Sequence, residues 1–132
     1  MKLNHDCVRA VLLFLEENLD CTGSIGIDNV ELAGFDKNDV IYSLLKLHEA
    51  GYISGRFVKD ISEDISGFVT EITWEGHKFL DTVRDNKVWK STKTILSKVS
   101  SASISFVSSV ASQVLSTLIS QYMGLNQPLS PF

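Results

Sequence analysis

The chain has few cysteines, and its last 34 residues, 99–132, contain no charged residue at all. Two cysteines, Cys7 and Cys21, are too few for the disulfide framework of a small secreted domain. No secretory signal is expected either, because the early apolar run AVLLFL is short and is followed directly by two glutamates. Both absences favour a protein of the reducing cytoplasm.

The usual signatures of catalysis are missing as well. The three histidines fall on three separate predicted helices, and the glycine pair in GSIG has no lysine after it to hold a phosphate. Asp60, Glu63 and Asp64 lie close together, but on a predicted loop that is open to water. We therefore expect no catalytic, cofactor-binding or metal-binding residues, and a protein that acts by binding.

Charge is distributed very unevenly along the 132 residues, which suffice for one self-sufficient core. Residues 1–81 contain seven Lys or Arg against fifteen Asp or Glu, whereas residues 82–98 contain five basic residues against one acid. The uncharged segment follows, and its two prolines near the end stop any helix. The expected organisation is an acidic body at 1–86, a basic and then uncharged helix at 87–125, and an extended tail at 126–132.

Hydrophobic spacing and turn residues predict a mostly helical body with one hairpin. The predicted elements are a helix capped by Asn4, a short strand at 24–27, a brief helix in VELAG, a helix at 36–50, strands at 52–58 and 68–74 around a nine-residue loop, and a helix capped by Thr73. Gly76, in the first turn of that last helix, would let the helix lie close to the sheet.

This order resembles a winged helix-turn-helix. Two stretches carry the resemblance, IDNVELAGFDKNDVIYSLLKLHEAGYI and ITWEGHKFL, and the second is similar to the I-T-x-x-G opening of the helix that follows the wing in many winged-helix regulators. The resemblance implies an α+β, mainly α fold, with a two- or three-stranded wing. A long C-terminal amphipathic helix is expected to follow it.

At a finer level nearly the whole chain resembles one family. From MKLNHDCVRAVLLFLEENL through ITWEGHKFLDTVRDNKVWKSTK into the serine-rich tail, it is similar to uncharacterised proteins of phages, prophages and Gram-positive bacteria that share a domain of unknown function. The resemblance implies a setting in the cytoplasm of a bacterial host. It implies no activity and no particular functional residue.

The predicted recognition helix and wing have the wrong charge for DNA, because phosphate contacts from Lys and Arg supply much of the affinity for nucleic acid. No arginine of the helix stands ready to hold a guanine, and acids accompany the cations of both elements. We therefore predict a protein partner, toward which the acidic body imitates nucleic acid. The residues expected to bind it are Asp39, Glu49, Asp60, Glu63 and Asp64.

DNA binding by a transcription regulator is the alternative. Lys37, Asn38, Tyr42 and Lys46 would then contact bases, and Arg56 and Lys59 would contact phosphates. The spacing of Lys87, Lys90 and Lys93 places them along one side of a helix, which suits either phosphate or anionic lipid.

The uncharged segment repeats apolar pairs every four residues from Phe106 onward, which predicts a helix. Four residues turn the chain about 400°, so the apolar stripe drifts about 40° per repeat. Such a stripe suits a helix held by more than one neighbour, as in a homodimer or larger oligomer. A helix on a membrane surface and a transmembrane span remain alternatives. The residues expected to mediate self-association are Val107, Val110, Val114, Leu115, Leu118, Ile119 and Tyr122.

Overall fold

The computed structural model describes residues 1–124, and these form five α-helices and three β-strands in two compact units, Met1–Leu80 and a second that begins at Asp81. The α+β class with a predominance of helix is confirmed. Leu125 and the tail predicted at 126–132 lie outside the described residues. The elements are α1 (His5–Asn18), β1 (Ile25–Gly26), α2 (Lys37–Glu49), β2 (Ile53–Lys59), β3 (Ile65–Ile72), α3 (Trp74–Val83), α4 (Asn86–Leu96) and α5 (Ile104–Tyr122).

Side-chain caps begin α1 and α2 as expected from the sequence. The Asn4 side chain accepts a hydrogen bond from the Cys7 amide at 3.1 Å, and Asp36 accepts one from the Asn38 amide at 2.9 Å. Gly51, at a φ of 81°, follows the end of α2. The two helices pack together through buried residues at helical spacing, namely Val8, Val11, Leu12 and Leu15 of α1 and Val40, Leu44 and Leu47 of α2.

The inward face of α2 is not purely apolar. Ser43 is fully buried, whereas the apolar Ile41 and Leu45 are only half-buried. At 100° per residue Ser43 lies within about 60° of Val40 and about 40° of Leu47, so it shares their side of the helix, and its hydroxyl lies beside the Cys7 thiol of α1.

The predicted helix in VELAG does not form. A single 3₁₀ turn at Ile27–Asn29 stands just before it, and the chain then runs through a turn at Gly34, whose φ is 88°. The Lys37 ammonium donates to the carbonyls of Ile27 at 3.0 Å and Val30 at 3.4 Å. A lysine from α2 therefore donates to two carbonyls that, in a helix, would accept hydrogen bonds from backbone N–H groups.

The three strands form one antiparallel sheet in the order β1-β3-β2. The hairpin between β2 and β3 is longer than predicted, since pairing extends to Lys59 opposite Ile65 and leaves a loop of residues 60–64. The nine-residue loop was wrong because Asp60 closes a tighter turn. Its carboxylate accepts from the Asp64 amide at 2.9 Å and the Ser62 hydroxyl at 3.0 Å.

The start of α3 is held tightly against the sheet. The Thr73 hydroxyl donates to the Gly51 carbonyl at 2.6 Å and accepts from the Gly76 amide at 3.1 Å. Gly76 lies so close to the chain that a β-carbon there would meet the Tyr52 carbonyl oxygen. The Thr73 cap and the close approach at Gly76 are both as the sequence predicted.

The second unit pairs α4 with α5. Asp85 caps α4 through the amides of Lys87 and Val88, and Ser103 caps α5 through the amide of Phe106. A single long helix was predicted here, but residues 97–103 interrupt it. Because of this break, α5 can turn back and contact α4. The buried residues of the two helices are Ile104, Val107 and Ala111 of α5 and Val88, Trp89 and Thr92 of α4.

Candidate functional site

The lysine at the start of α2 is a structural residue. Lys37 was a candidate for contact with DNA bases, but its ammonium donates to the carbonyls of Ile27 and Val30 instead. Contact with a base would require these bonds to break and would leave both carbonyls without that donor. Asn38, next to it, is exposed and has no such role in the 27–30 turn.

We expect Lys37→Met to lower the free energy of unfolding by about 1–2 kcal/mol, because methionine keeps the aliphatic stem but removes the donor to two carbonyls. Asn38→Ala is the matched control and should stay within about 0.5 kcal/mol of the parent. Urea unfolding followed by far-ultraviolet circular dichroism measures both. Equal stability of the two variants would contradict the structural role of Lys37.

The other lysine of α2 is also engaged. Lys46 forms an exposed ion pair with Glu49 at 3.1 Å, and its ammonium lies 5.4 Å from the centre of the Tyr42 ring. The hydrogen bond with Glu49 raises the pKa of Lys46 above its ordinary value. The DNA candidates Tyr42 and Lys46 therefore share one cluster with the partner candidate Glu49, in which the lysine charge is balanced.

The predicted acids do not form one patch. Asp60, Glu63 and Asp64 lie together on the hairpin loop, where Glu63 pairs with Lys59 at 3.3 Å. Asp39 and Glu49 lie near opposite ends of α2, about 15 Å apart along the helix axis. The structure thus groups three of the five acids.

Asp39 belongs to the region between α1 and α2. Burial raises the pKa of the Cys7 thiol, the buried Ser43 hydroxyl beside it lowers that pKa in part, and the Asp39 carboxylate raises it further. The folded state therefore favours the neutral thiol. The resulting stability is present below the pKa of an unfolded-chain thiol and is lost as the pH rises through the higher folded value.

The outer side of the hairpin presents apolar residues that the sequence analysis missed. Val58 is 51% exposed and Phe68 40% exposed, and Ile61 on the loop is fully exposed. In the strand register Val58 faces Ser66 and Arg56 faces Phe68, so all four lie on one face of the sheet. We call Arg56, Val58, Ile61 and Phe68 the outer hairpin surface.

The opposite side of the hairpin explains why these residues are uncovered. The ring of Phe57 packs edge-on against His48 of α2, with centroids 5.1 Å apart. Alternation along β2 then directs its neighbours Arg56 and Val58 away from α2. The sequence signal for the loop residue was Ile61 itself, which with Ile65 is one of two isoleucines in the otherwise polar KDISEDISG.

The outer hairpin surface is bordered mainly by negative charge. Asp60, Glu63 and Asp64 surround Ile61 along the loop, and Lys59 is paired with Glu63. Arg56 is exposed farther along β2, opposite Phe68. An apolar centre beside acids suits a partner whose own surface is apolar with basic groups around it.

In the second unit, Lys87, Lys90 and Lys93 are exposed on α4, while Val88, Trp89 and Thr92 are buried. Along α5, Val107 is fully buried and the candidates Val110, Val114, Leu115 and Leu118 are half-buried. Ile119 and Tyr122 are exposed. Within residues 1–124 no helix combines the length and the apolar character needed to cross a membrane.

A cavity of about 220 Å³ in the first unit is lined by several side chains of types that can ligate metals or transfer protons. Asp20, Cys21, Glu71 and His77 line it together with apolar side chains of α1 and β3. Across the described part of the chain, no three His, Cys, Asp or Glu side chains are placed to hold one metal ion. The outer hairpin surface is therefore the stronger candidate site.

Comparison with known proteins places the chain in a family. Residues 2–103 match the family described as "Hypothetical protein (DUF2513)". A protein of Haemophilus influenzae, named only "Uncharacterized protein", is 35% identical over 123 residues, which cover 93% of this chain and 99% of the relative. No solved structure matches the chain. Because the family match spans well over half of the chain, this chain belongs to the DUF2513 family.

Proposed function

We propose that the chain is a non-catalytic binding protein with a winged-helix body, and that its partner is another protein. The observation that carries the proposal is the outer hairpin surface. Three apolar side chains, Val58, Ile61 and Phe68, are left exposed on one hairpin, beside three acids and one paired lysine.

The order of elements supports the winged-helix part of the proposal. Helix α1 and strand β1 precede a short turn, helix α2 follows, and β2 and β3 form a hairpin that joins β1 in one sheet before α3. In this arrangement α2 corresponds to the recognition helix and the hairpin to the wing. The helix that normally precedes the recognition helix is reduced to the 3₁₀ turn at Ile27–Asn29.

The contacts of the lysines favour a protein over DNA. Lys37 binds backbone carbonyls, Lys46 pairs with Glu49 and Lys59 pairs with Glu63. Each of these cations would have to leave its present partner before it could neutralise a phosphate. Phosphate neutralisation is the main source of non-specific affinity for DNA, so these three lysines of the recognition helix and wing would contribute little to DNA binding.

The residues of the wing suggest how a protein would be held. Exposed aromatic and aliphatic side chains that enter a partner's pocket contribute most of the binding free energy in many interfaces. Ile61 and Phe68 suit that role, and Asp60 and Asp64 would align the wing with basic groups at the rim of the pocket. The resemblance to phage and prophage proteins supports a host enzyme or a defence protein as the partner, whose action the chain would modulate.

DNA binding stays as a second candidate because further cations are exposed to water. Arg56 is exposed on the wing, and Lys87, Lys90 and Lys93 are exposed on α4. A transcription regulator would use these four residues on phosphates.

A photo-crosslinking residue at position 61, with one at the exposed position 17 of α1 as the matched control, tests the proposal in bacterial cells. We expect nuclease-resistant crosslinks to a distinct protein from position 61 and not from position 17. Phe68→Ser and, separately, Asp64→Lys should reduce the yield at least about tenfold, because each removes a contact proposed for the partner.

Two outcomes would overturn the proposal. One is crosslinking from position 61 that neither variant reduces. The other is salt-dependent binding of a duplex DNA, measured by fluorescence polarisation, that Arg56→Ala weakens while crosslinks to protein are absent. The second outcome would establish the DNA-binding alternative.

A further inference from the structure

The apolar surface of α5 is larger than α4 can cover. Helix α4 has 11 residues and α5 has 19, which correspond to lengths of about 16 and 28 Å at 1.5 Å per residue. Exposure rises toward the end of α5 accordingly. Val107 and Ala111 are fully buried, Leu118 is half-buried, and Tyr122 is 92% exposed.

The geometry points to a second copy of this chain as the occupant of this uncovered surface, with the α4–α5 pairs of two copies packing into a four-helix arrangement. The inference is independent of what the outer hairpin surface binds. It places the contact on the second half of α5 and the end of α4.

A groove between α4 and α5 provides the receiving surface. Its apolar residues are Ile95 of α4 and Val114 and Leu118 of α5, and its volume is about 380 Å³. Its polar border includes Ser91, Gln113 and Gln121, none of which is charged. A groove with these dimensions accepts large apolar side chains from a neighbouring helix.

The absence of charge favours a second copy over a different protein. Two identical copies related by a two-fold axis bring the same patch of each copy together, so a charged patch would repel itself. Residues 99–124 carry no charge, and two serine- and glutamine-bordered surfaces can meet without that penalty. At 100° per residue, Lys93 falls on the other side of α4 from Ser91 and Ile95 and Lys90 falls on its flank, whereas Lys87 shares their side one turn before Ser91, away from Ile95 at the end of α4.

The available area indicates a dimer of moderate affinity. Two helices side by side are about 20 Å wide over the roughly 16 Å of α4, and α5 alone is about 10 Å wide over its remaining roughly 12 Å, so such a face buries on the order of 900 Å² counted on both copies. An area of this size lies among weak and transient interfaces, below the roughly 1,200 Å² at which stable interfaces begin. We therefore expect a monomer–dimer equilibrium with a Kd of about 1–100 µM.

Sedimentation velocity of the full chain between about 1 and 300 µM tests the inference. We expect the mass to rise from 14.6 kDa toward twice that value. Leu118→Glu should raise the Kd at least about thirtyfold, since it places a charge in the apolar groove of both copies. Ser120→Glu adds the same charge on the exposed serine side of α5 and should leave the Kd unchanged.

Tyr122→Ser separates a lost contact from a lost fold. Its side chain is almost fully exposed, so the monomer does not depend on it, but the dimer should weaken about tenfold or more. A mass that stays at the monomer value throughout, or a dimer that survives both Leu118→Glu and Tyr122→Ser, overturns the inference. Flotation of the monomer with anionic phospholipid vesicles, lost in Tyr122→Ser, would also overturn the inference, because α5 would then bind a membrane surface.

Discussion

Gly76→Ala is expected to destabilise the first unit by at least about 3 kcal/mol. Gly76 lies in the first turn of α3, where its new β-carbon would overlap the Tyr52 carbonyl oxygen and come within 2.7 Å of the Ile72 side chain. This carbonyl is part of the backbone and accepts a hydrogen bond from the Thr73 amide at 3.0 Å, so it cannot move without loss of that hydrogen bond. Alanine normally stabilises a helix by about 1 kcal/mol relative to glycine, so a loss would be evidence of the close approach.

Urea unfolding followed by circular dichroism measures this effect, with Gly26→Ala as the matched control. A β-carbon at Gly26 would have ordinary contacts, 3.6 Å from the Asn29 side chain and 3.9 Å from the Gly67 carbonyl. We expect the control to remain within about 1 kcal/mol of the parent. If Gly76→Ala is as stable as the control, α3 does not approach the chain at Tyr52 in the way described.

The second large effect is expected from Val107→Asp in α5. Val107 is fully buried, and an aspartate there would lose its hydration without gaining a positive partner. We expect a loss of several kcal/mol from the packing of α4 and α5. Trp89 of α4, which is only 5% exposed, should then become accessible to water.

Tryptophan emission reports this change directly. Trp74 is already 76% exposed, so a red shift on Val107→Asp would come from Trp89. Ser109→Asp is the control, because it adds the same charge at an exposed position of the same helix and should leave the emission unchanged. An unchanged spectrum for Val107→Asp would show that α5 does not pack through Val107.

Local signals predicted where α1, α2 and α3 begin and where α2 ends. Asn4, Asp36 and Thr73 cap their helices through their own side chains, and Gly51 follows the end of α2. These interactions connect residues that are only a few positions apart, so they are visible in the sequence.

Two elements were mispredicted for different reasons. VELAG has the composition of a short helix, but the bonds from Lys37 satisfy carbonyls at Ile27 and Val30 and the chain turns at Gly34. The predicted hairpin loop is longer than the real one because Asp60 closes a tighter turn through a hydrogen bond that spans only four residues. The first difference is caused by contacts with α2, which the local sequence does not show, and the second by a local turn motif at Asp60.

The candidate site shows the same division. The acids of the hairpin loop were identified from the sequence, since charge is a property of the residue itself. The exposure of Val58 and Phe68 was not, because it depends on which side of the hairpin packs against α2 through Phe57 and His48. A strand with partial alternation does not reveal which of its faces will be covered.

By itself the sequence determined where charge lies, where α1, α2 and α3 begin, and that the C-terminal segment would be helical and uncharged. The tertiary structure decided which lysines are already engaged, which apolar residues face water, and that the C-terminal segment folds as two helices. The physical reason is the distance along the chain over which each property is set. Charge, capping and periodicity depend on a residue and its near neighbours, whereas exposure and pairing depend on side chains that only folding brings together.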